Sequence, residues 1–274
     1  METGLYRVPR DRPGVSVESD RCPVVLLHGW ALHAGLLAPL AEALAAEGHE
    51  VTCLDLPGHG GRPYEPPFGA LEELAATIAA DLPPACTLIG WSLGGMVAAR
   101  LAADHHPSVR SLALIATTPR FVADTDWDHG LARELVAEFA AELGHDYPGL
   151  VRRFLSLQVR GDAQAARLLR QLRTQVFAQG EPDPAALSAG LDILKQADLR
   201  AAVGRICVPT LVIAGDHDRL TPAGAGAWLA GHIPGASHAV IEGAGHAPFL
   251  SHAGEVLTVL RGFLPPPVAA RARA

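Results

Sequence analysis

The stretch Cys86-Thr87-Leu88-Ile89-Gly90-Trp91-Ser92-Leu93-Gly94-Gly95 decides the fold of this 274-residue chain. Thr87 to Ile89 is a short apolar run that reads as a buried strand. Gly90-Trp91-Ser92-Leu93-Gly94 fits G-x-S-x-G, and Met96 to Ala103 continues as an Ala-rich helix. Strand, tight turn and helix form the context in which this pattern holds a serine hydroxyl at the tip of a strained turn. A Cβ at Gly90 or Gly94 clashes in so sharp a bend. The helix that follows aims its first N–H groups at the site, where negative charge is stabilised. The plain alternative is a Gly-rich turn in which Ser92 merely caps the helix.

Outward from this turn, strand and helix alternate. Pro23-Val24-Val25-Leu26-Leu27 is continuously apolar, as for a strand covered on both faces, and it ends in His28-Gly29-Trp30. Leu36 to Glu47 has helical spacing and stops at Gly48, an αL cap. Val51-Thr52-Cys53-Leu54-Asp55 reads as the next strand and runs into the loop Leu56-Pro57-Gly58-His59-Gly60-Gly61. Leu71 to Leu82 reads as an amphipathic helix, and Val109 to Ala116, Thr210 to Gly215 and Ala239 to Glu242 as further strands. This alternation predicts an α/β architecture: a mostly parallel sheet with helices on both faces. From Arg120 to Arg205 only helical patterns occur. That length exceeds a single crossover helix and predicts an inserted helical cap over the strand C-terminal ends, where ligands bind in open α/β sheets. The expected organisation is a core of 1–119 with an N-terminal arm, a cap of 120–205, a second part of the core at 206–264 and a disordered tail at 265–274. Residues 1–20 are polar with two prolines and read as a loose arm or an edge hairpin.

Hydrophobic residues make up 49% of the chain, enough for a substantial core, and the net charge of −7 gives no support for nucleic-acid binding. No apolar h-region opens the sequence, and no run reaches the roughly 18 apolar residues of a membrane span. A cytoplasmic monomer is the expectation. The four cysteines, Cys22, Cys53, Cys86 and Cys207, are scattered without a C-x-x-C pair and sit in or beside predicted strands. Buried thiols in a reducing compartment account for them. No metal or organic cofactor is expected.

An activated serine needs a base within hydrogen-bond reach and a third group that orients the base. On this kind of scaffold both follow the serine, acid before histidine. After the 210–215 strand comes Gly215-Asp216-His217-Asp218-Arg219-Leu220-Thr221-Pro222, in which Asp216 and Asp218 compete for the acid. After the 239–242 strand comes Gly243-Ala244-Gly245-His246-Ala247-Pro248-Phe249. His246 stands out among 13 histidines because it follows the last strand in a Gly-rich loop, whereas His28, beside a tight turn, reads as structural.

His28-Gly29-Trp30, Asp55-Leu56-Pro57-Gly58-His59-Gly60, the Ser92 turn, Gly215-x-x-Asp218-x-x-x-Pro222 and Gly245-His246-Ala247-Pro248 occur in the order of the α/β-hydrolase superfamily. Over residues 23–264 the chain resembles it. Arg153-Phe154-Leu155-Ser156-Leu157-Gln158, Gly190-Leu191-Asp192-Ile193-Leu194-Lys195 and His246-Ala247-Pro248-Phe249-Leu250-Ser251-His252 are similar to the carboxylesterases of biotin synthesis that remove the methyl group from pimeloyl–acyl carrier protein methyl ester. The resemblance implies an α/β-hydrolase fold with Ser92 as nucleophile, Asp218 as orienting acid and His246 as general base. It implies backbone N–H groups of Trp30 and Leu93 as the oxyanion hole, and Trp30, Ser92, Leu93, Phe154, Leu157, Gln158 and His246 as substrate contacts. Trp91 reads equally as a pocket wall or a core aromatic.

Leu150 to Gln175 carries six arginines against one acid, Asp162. Arg153, Arg160 and Arg167 recur every seven residues, and Arg167, Arg170 and Arg173 every three, which places each set on one face if helical. A solvated face is the ordinary account. The resemblance implies instead that Arg153, Arg167 and Arg170 dock an acidic acyl carrier protein. Rival readings of the whole are a general short-chain carboxylesterase, lactonase or perhydrolase acting on small esters, and a hydrolase-like ligand receptor.

Overall fold

In a computed structural model of the chain, which describes residues 5–7, 22–176 and 178–266, seven strands form one sheet. In chain order they are β1 (Leu5–Arg7), β2 (Val24–Leu27), β3 (Val51–Leu54), β4 (Cys86–Trp91), β5 (Val109–Ile115), β6 (Thr210–Gly215) and β7 (Ser237–Ile241). Their spatial order is β1-β3-β2-β4-β5-β6-β7. β1 runs antiparallel along the edge of β3, and the other neighbours are parallel. Every residue of β2, β4 and β6 is buried, the consequence of helices on both faces and the reason these segments read as unbroken apolar runs.

The helices are α1 (Ala38–Ala46), α2 (Leu71–Ala79), α3 (Leu93–Ala103), α4 (Arg133–Leu143), α5 (Tyr147–Gln158), α6 (Ala165–Gln175), α7 (Pro184–Gln196), α8 (Ala223–His232), α9 (Pro248–Ser251) and α10 (Ala253–Phe263). α3 is buried along nearly its whole length, and its run of Gly and Ala lets it lie close on the sheet. The register pairs Leu27 with Gly90, Trp91 with Ile115, and Gly215 with Ile241. The loops that follow β2, β4, β6 and β7 therefore open on the same edge of the sheet.

Between β5 and β6 the chain forms α4 to α7 and adds no strand to the sheet. The two ends of this insertion are tied together. Leu199 N donates to Pro119 O at 2.8 Å, and Arg200 pairs with Asp198 at 2.7 Å and with Asp126 at 2.9 Å.

Several local expectations shift. The helix predicted over 36–47 starts as a 3-10 turn, Ala34–Leu37, in which Gly35 N donates to the His33 side chain. The helix predicted to reach Leu82 stops at Ala79, and the last strand begins two residues earlier than predicted. The seven-residue arginine spacing is not a helix face, because α5 ends at Gln158 and a turn carries Arg160 before α6 begins. Cys53 and Cys86 are buried, and burial pushes both thiols up to about 12, but Cys207 is exposed. Most of the N-terminal arm, and the predicted tail beyond Pro266, lie outside the described residues. No helix among the described residues is long and apolar enough to cross a membrane.

Candidate active site

Ser92 stands between β4 and α3 with φ 56° and ψ −119°, in a region that costs a non-glycine residue about 1–3 kcal/mol. Its surroundings hold it there. Ser92 N donates to Ile115 O at 3.0 Å, and Thr117 Oγ1 donates to Ser92 O at 2.7 Å. The two motif glycines leave no alternative: a Cβ on Gly90 would lie 2.3 Å from Gly94 O, and one on Gly94 would lie 2.5 Å from His28 O. These contacts pin α3 against both β4 and the end of β2.

The loops after β6 and β7 bring Asp218 and His246 together. His246 Nδ1–H donates to Asp218 Oδ2 at 2.8 Å, with both side chains buried. The carboxylate is fixed from its other sides. Leu220 N and Thr221 N donate to Oδ1 at 2.8 and 3.0 Å, and Thr221 Oγ1 donates to Oδ2 at 2.7 Å. An ionised carboxylate only accepts, so Nδ1 carries the proton and Nε2 keeps its lone pair. Asp216 faces elsewhere: its Oδ1 accepts from Gly243 N at 2.7 Å. Trp91 lies beneath the histidine, with ring centroids 5.8 Å apart and its Nε1–H donating to His246 O at 2.7 Å. It also packs edge-on against Phe249, and it is fully buried.

A third element reaches the serine from β2. A Cβ on Gly29 would lie 3.1 Å from Ser92 Cβ, so the His28-Gly29-Trp30 turn abuts the serine directly. The next residue, Ala31, is held at φ 61°. His28 uses both nitrogens on the backbone: Nδ1–H donates to Gly29 O at 2.8 Å, and Nε2 accepts from Leu56 N at 2.9 Å. Burial, with His59 nearby, keeps it neutral by holding its pKa well below the ordinary value. Behind it, burial raises Asp55 to about 6, while Ala34 N donates to its Oδ1 at 2.6 Å. His28 is thus a structural support of the turn, as expected.

A family model described as the alpha/beta hydrolase fold matches residues 23–253. The chain belongs to the alpha/beta hydrolase family. It is 48% identical over 242 residues to the pimeloyl-[acyl-carrier protein] methyl ester esterase of Xanthomonas oryzae, covering 88% of this chain and 94% of that one. The enzyme of the same name from Chromobacterium violaceum is 43% identical over 237 residues, covering 86% and 92%. Among solved structures, an esterase from Exiguobacterium antarcticum superposes with a TM-score of 0.80 at 21% identity over 94% of both chains. A bromoperoxidase from Bacillus anthracis does so with 0.79 at 22% identity, over 89% of this chain and 91% of that one. These two show a shared fold.

In this alpha/beta hydrolase the inserted helices α5 and α7 pack against Trp30. Trp30 Nε1 donates to Leu187 O of α7 at 2.9 Å, and a Cβ on Gly190 would lie 2.7 Å from the Trp30 ring and 3.7 Å from Leu93. Phe154 of α5 meets Trp30 edge-on at 5.0 Å. Leu157 is half-buried against the hydrophobic core. Gln158 is fully buried, and neither its side-chain oxygen nor its nitrogen has a hydrogen-bond partner among the described residues. Among the described residues no group of three or more His, Cys, Asp or Glu is arranged to hold a metal ion.

The arginines divide. Arg153 bridges Glu138 and Glu142 of α4 and lies over the Phe139 ring at 5.3 Å, so it braces α5 against α4 instead of presenting a free positive charge. Arg167, Arg170 and Arg173 are exposed on α6, and Arg167 Nη1 donates to Gln164 Oε1. Arg153, expected to dock a carrier, thus has its guanidinium held by two acids of α4. Its partners sit eleven and fifteen residues upstream on a separate helix, beyond the reach of any single-helix pattern. Sequence reasoning also missed Thr221, although an acid followed three positions later by a hydroxyl residue is a local side-chain-to-backbone capping pattern.

Proposed function

We propose that this chain is a serine carboxylesterase that hydrolyses the methyl ester of pimeloyl–acyl carrier protein. The observation that carries the chemistry is the buried Asp218–His246 pair, and a serine on a strained strand-to-helix turn supplies the nucleophile in this reading. The substrate comes from the relatives, whose printed name states it and whose identity of 43–48% runs over most of both chains.

In this reading Asp218 holds the imidazole with Nε2 free to accept a proton. Ser92 gives its proton to His246 as Oγ bonds to the ester carbonyl carbon. The N–H groups of Leu93 and Trp30 receive the oxyanion; one such donor is typically worth about 10²–10³ in rate. The carbonyl–methoxy bond breaks, His246 returns the proton, and methanol departs. Water then attacks the acyl-enzyme by the same route, and the free acid leaves. Trp30, Phe154 and Leu157 line the acyl pocket, and the unpartnered Gln158 amide is a polar contact for the substrate. Residues 120–205 act as a cap unit. Arg167 and Arg170, exposed on α6, attract the acidic carrier, which raises encounter rates in a salt-dependent way. The enzyme works in the cytoplasm as a monomer. Val240 is the only large hydrophobic side chain exposed among the described residues, which suits a chain without a large self-association patch.

The test is hydrolysis of methyl pimeloyl–acyl carrier protein beside p-nitrophenyl butyrate, with S92A as control. A strong preference for the carrier-bound ester, lost in S92A, is expected. Turnover of the small ester alone would reduce the reading to a general carboxylesterase.

A further inference from the structure

Asp162 is the one acid in the arginine-rich stretch of the cap, and it is not at the surface. It lies in the turn between α5 and α6, 6% exposed. Its Oδ2 accepts from Gly245 N at 2.9 Å, and its Oδ1 accepts from Gln164 N at 2.7 Å. The first bond crosses from the cap to the loop that carries His246, 83 residues away.

That bond is one of a set. His246 N donates to Gln158 O at 2.9 Å, and Ala163 N donates to Gly243 O at 3.1 Å. Gln164 Nε2 donates to Ser251 O, and His217 Nδ1–H donates to Gly161 O at 2.7 Å. Two successive main-chain N–H groups, those of Gly245 and His246, thus end on the cap turn. From the opposite side Trp91 Nε1–H takes the His246 carbonyl. The approach is close: a Cβ on Gly245 would lie 2.9 Å from Gln158 O and 3.3 Å from Asp162 Cβ. Among these bonds only that of Asp162 is charge-assisted, and such bonds are roughly twice as strong as neutral ones.

We propose that Asp162 is a positioning residue for the general base: its buried carboxylate fixes the main chain at Gly245, and through it the placement of the His246 imidazole. The turn from Gln158 to Gln164 is then part of the catalytic framework as well as part of a lid. This rests on the assignment of His246 as base made above. A buried carboxylate suits the task because it accepts from two amides at once. Asn keeps the volume but presents an N–H₂ group to one of them, and Ala leaves both unmet.

The experiment measures steady-state hydrolysis of p-nitrophenyl butyrate and the rate of fluorophosphonate labelling at Ser92, at a temperature well below each variant's melting point. For D162A, kcat and the labelling rate are expected to fall together by about 10²-fold, the scale of an ångström-level misplacement, and for D162N by about tenfold. KM is expected to stay within about twofold, because the pocket-lining side chains are untouched. D146A removes the cap of α5, where Asp146 Oδ1 accepts from Gly149 N, and serves as the control for general loosening of the cap; its kcat is expected to match the parent. D162N with parental kcat and labelling rate, or a loss confined to KM, overturns the proposal, and D162N decides it if D162A does not fold. H246A separates the two levels. Turnover surviving in H246A would overturn the base assignment itself, whereas an inactive H246A beside a fully active D162N would overturn only the role of Asp162.

Discussion

Replacing Asp218 by Asn tests the core of the proposed mechanism, and the geometry sets the size of the effect. The carboxylate accepts four bonds: Leu220 N and Thr221 N on Oδ1, and Thr221 Oγ1 and His246 Nδ1 on Oδ2. Asn offers one oxygen and one N–H₂ group. With the oxygen toward Leu220 and Thr221, both backbone donors stay satisfied and the Thr221 hydroxyl can rotate to accept. His246 Nδ1 then faces a donor, the ring adopts the other tautomer, and Nε2 carries a proton where a lone pair is needed. The opposite orientation keeps the useful tautomer but leaves two fixed, buried N–H groups unmet, at about 1–3 kcal/mol each. The productive form is therefore disfavoured by roughly 2–6 kcal/mol, which predicts a loss in kcat of about 30-fold to 10⁴-fold at about 1.4 kcal/mol per factor of ten. Stability changes little, because the favoured orientation keeps the backbone bonds. The assay is hydrolysis of p-nitrophenyl butyrate with thermal unfolding alongside. D216N is the control, since Asp216 binds Gly243 N and not the histidine. A D218N enzyme that keeps more than about a tenth of kcat would refute the reasoning from tautomers, as would a larger loss in D216N than in D218N.

G94A drives a methyl group to 2.5 Å from His28 O and 2.6 Å from Leu27 O, so α3 must back away from β2 and carry the Leu93 N–H away from the Trp30 turn; kcat should fall about 10²-fold with a lower melting temperature, and activity within about threefold of the parent would count against the oxyanion assignment. R167E/R170E should slow turnover of the carrier-bound ester and flatten its salt dependence while sparing p-nitrophenyl butyrate, and equal loss on both substrates would sink the docking role. Stability should fall as pH drops from 6.5 toward 4. Burial holds His59 at about 4 and His28 well below its ordinary value, so unfolding lets both take up protons across that window, whereas Asp55, raised to about 6, gives one up. His33, His49 and His238, also held below the ordinary value by burial, add to the uptake, and D55N, which removes the opposing release, should steepen the fall in melting temperature; a shallower slope in D55N would contradict the signs.

Much of the site was legible because its chemistry is local. The strain at Ser92 requires glycine at positions 90 and 94, and the clash distances at both show why. His246 follows a strand end in a Gly-rich loop, a placement readable in one dimension. Asp218 was harder. Asp216 lies two residues away; residue types alone leave both open, the resemblance implies Asp218, and in the structure Asp218 bonds Leu220, Thr221 and His246 whereas Asp216 bonds Gly243.

By itself, the sequence determined the α/β alternation, the helical insertion and the residue types of the serine site, because strand, elbow and helix signals act over a few residues. Tertiary structure alone decided which distant groups share an environment. It paired Arg153 with Glu138 and Glu142, set Gly190 against the Trp30 ring, and sent the carboxylate of Asp162 to the amide beside His246. Each of these depends on how one helix docks on another or on a loop, and a buried charge takes whichever donors that docking brings within about 3 Å.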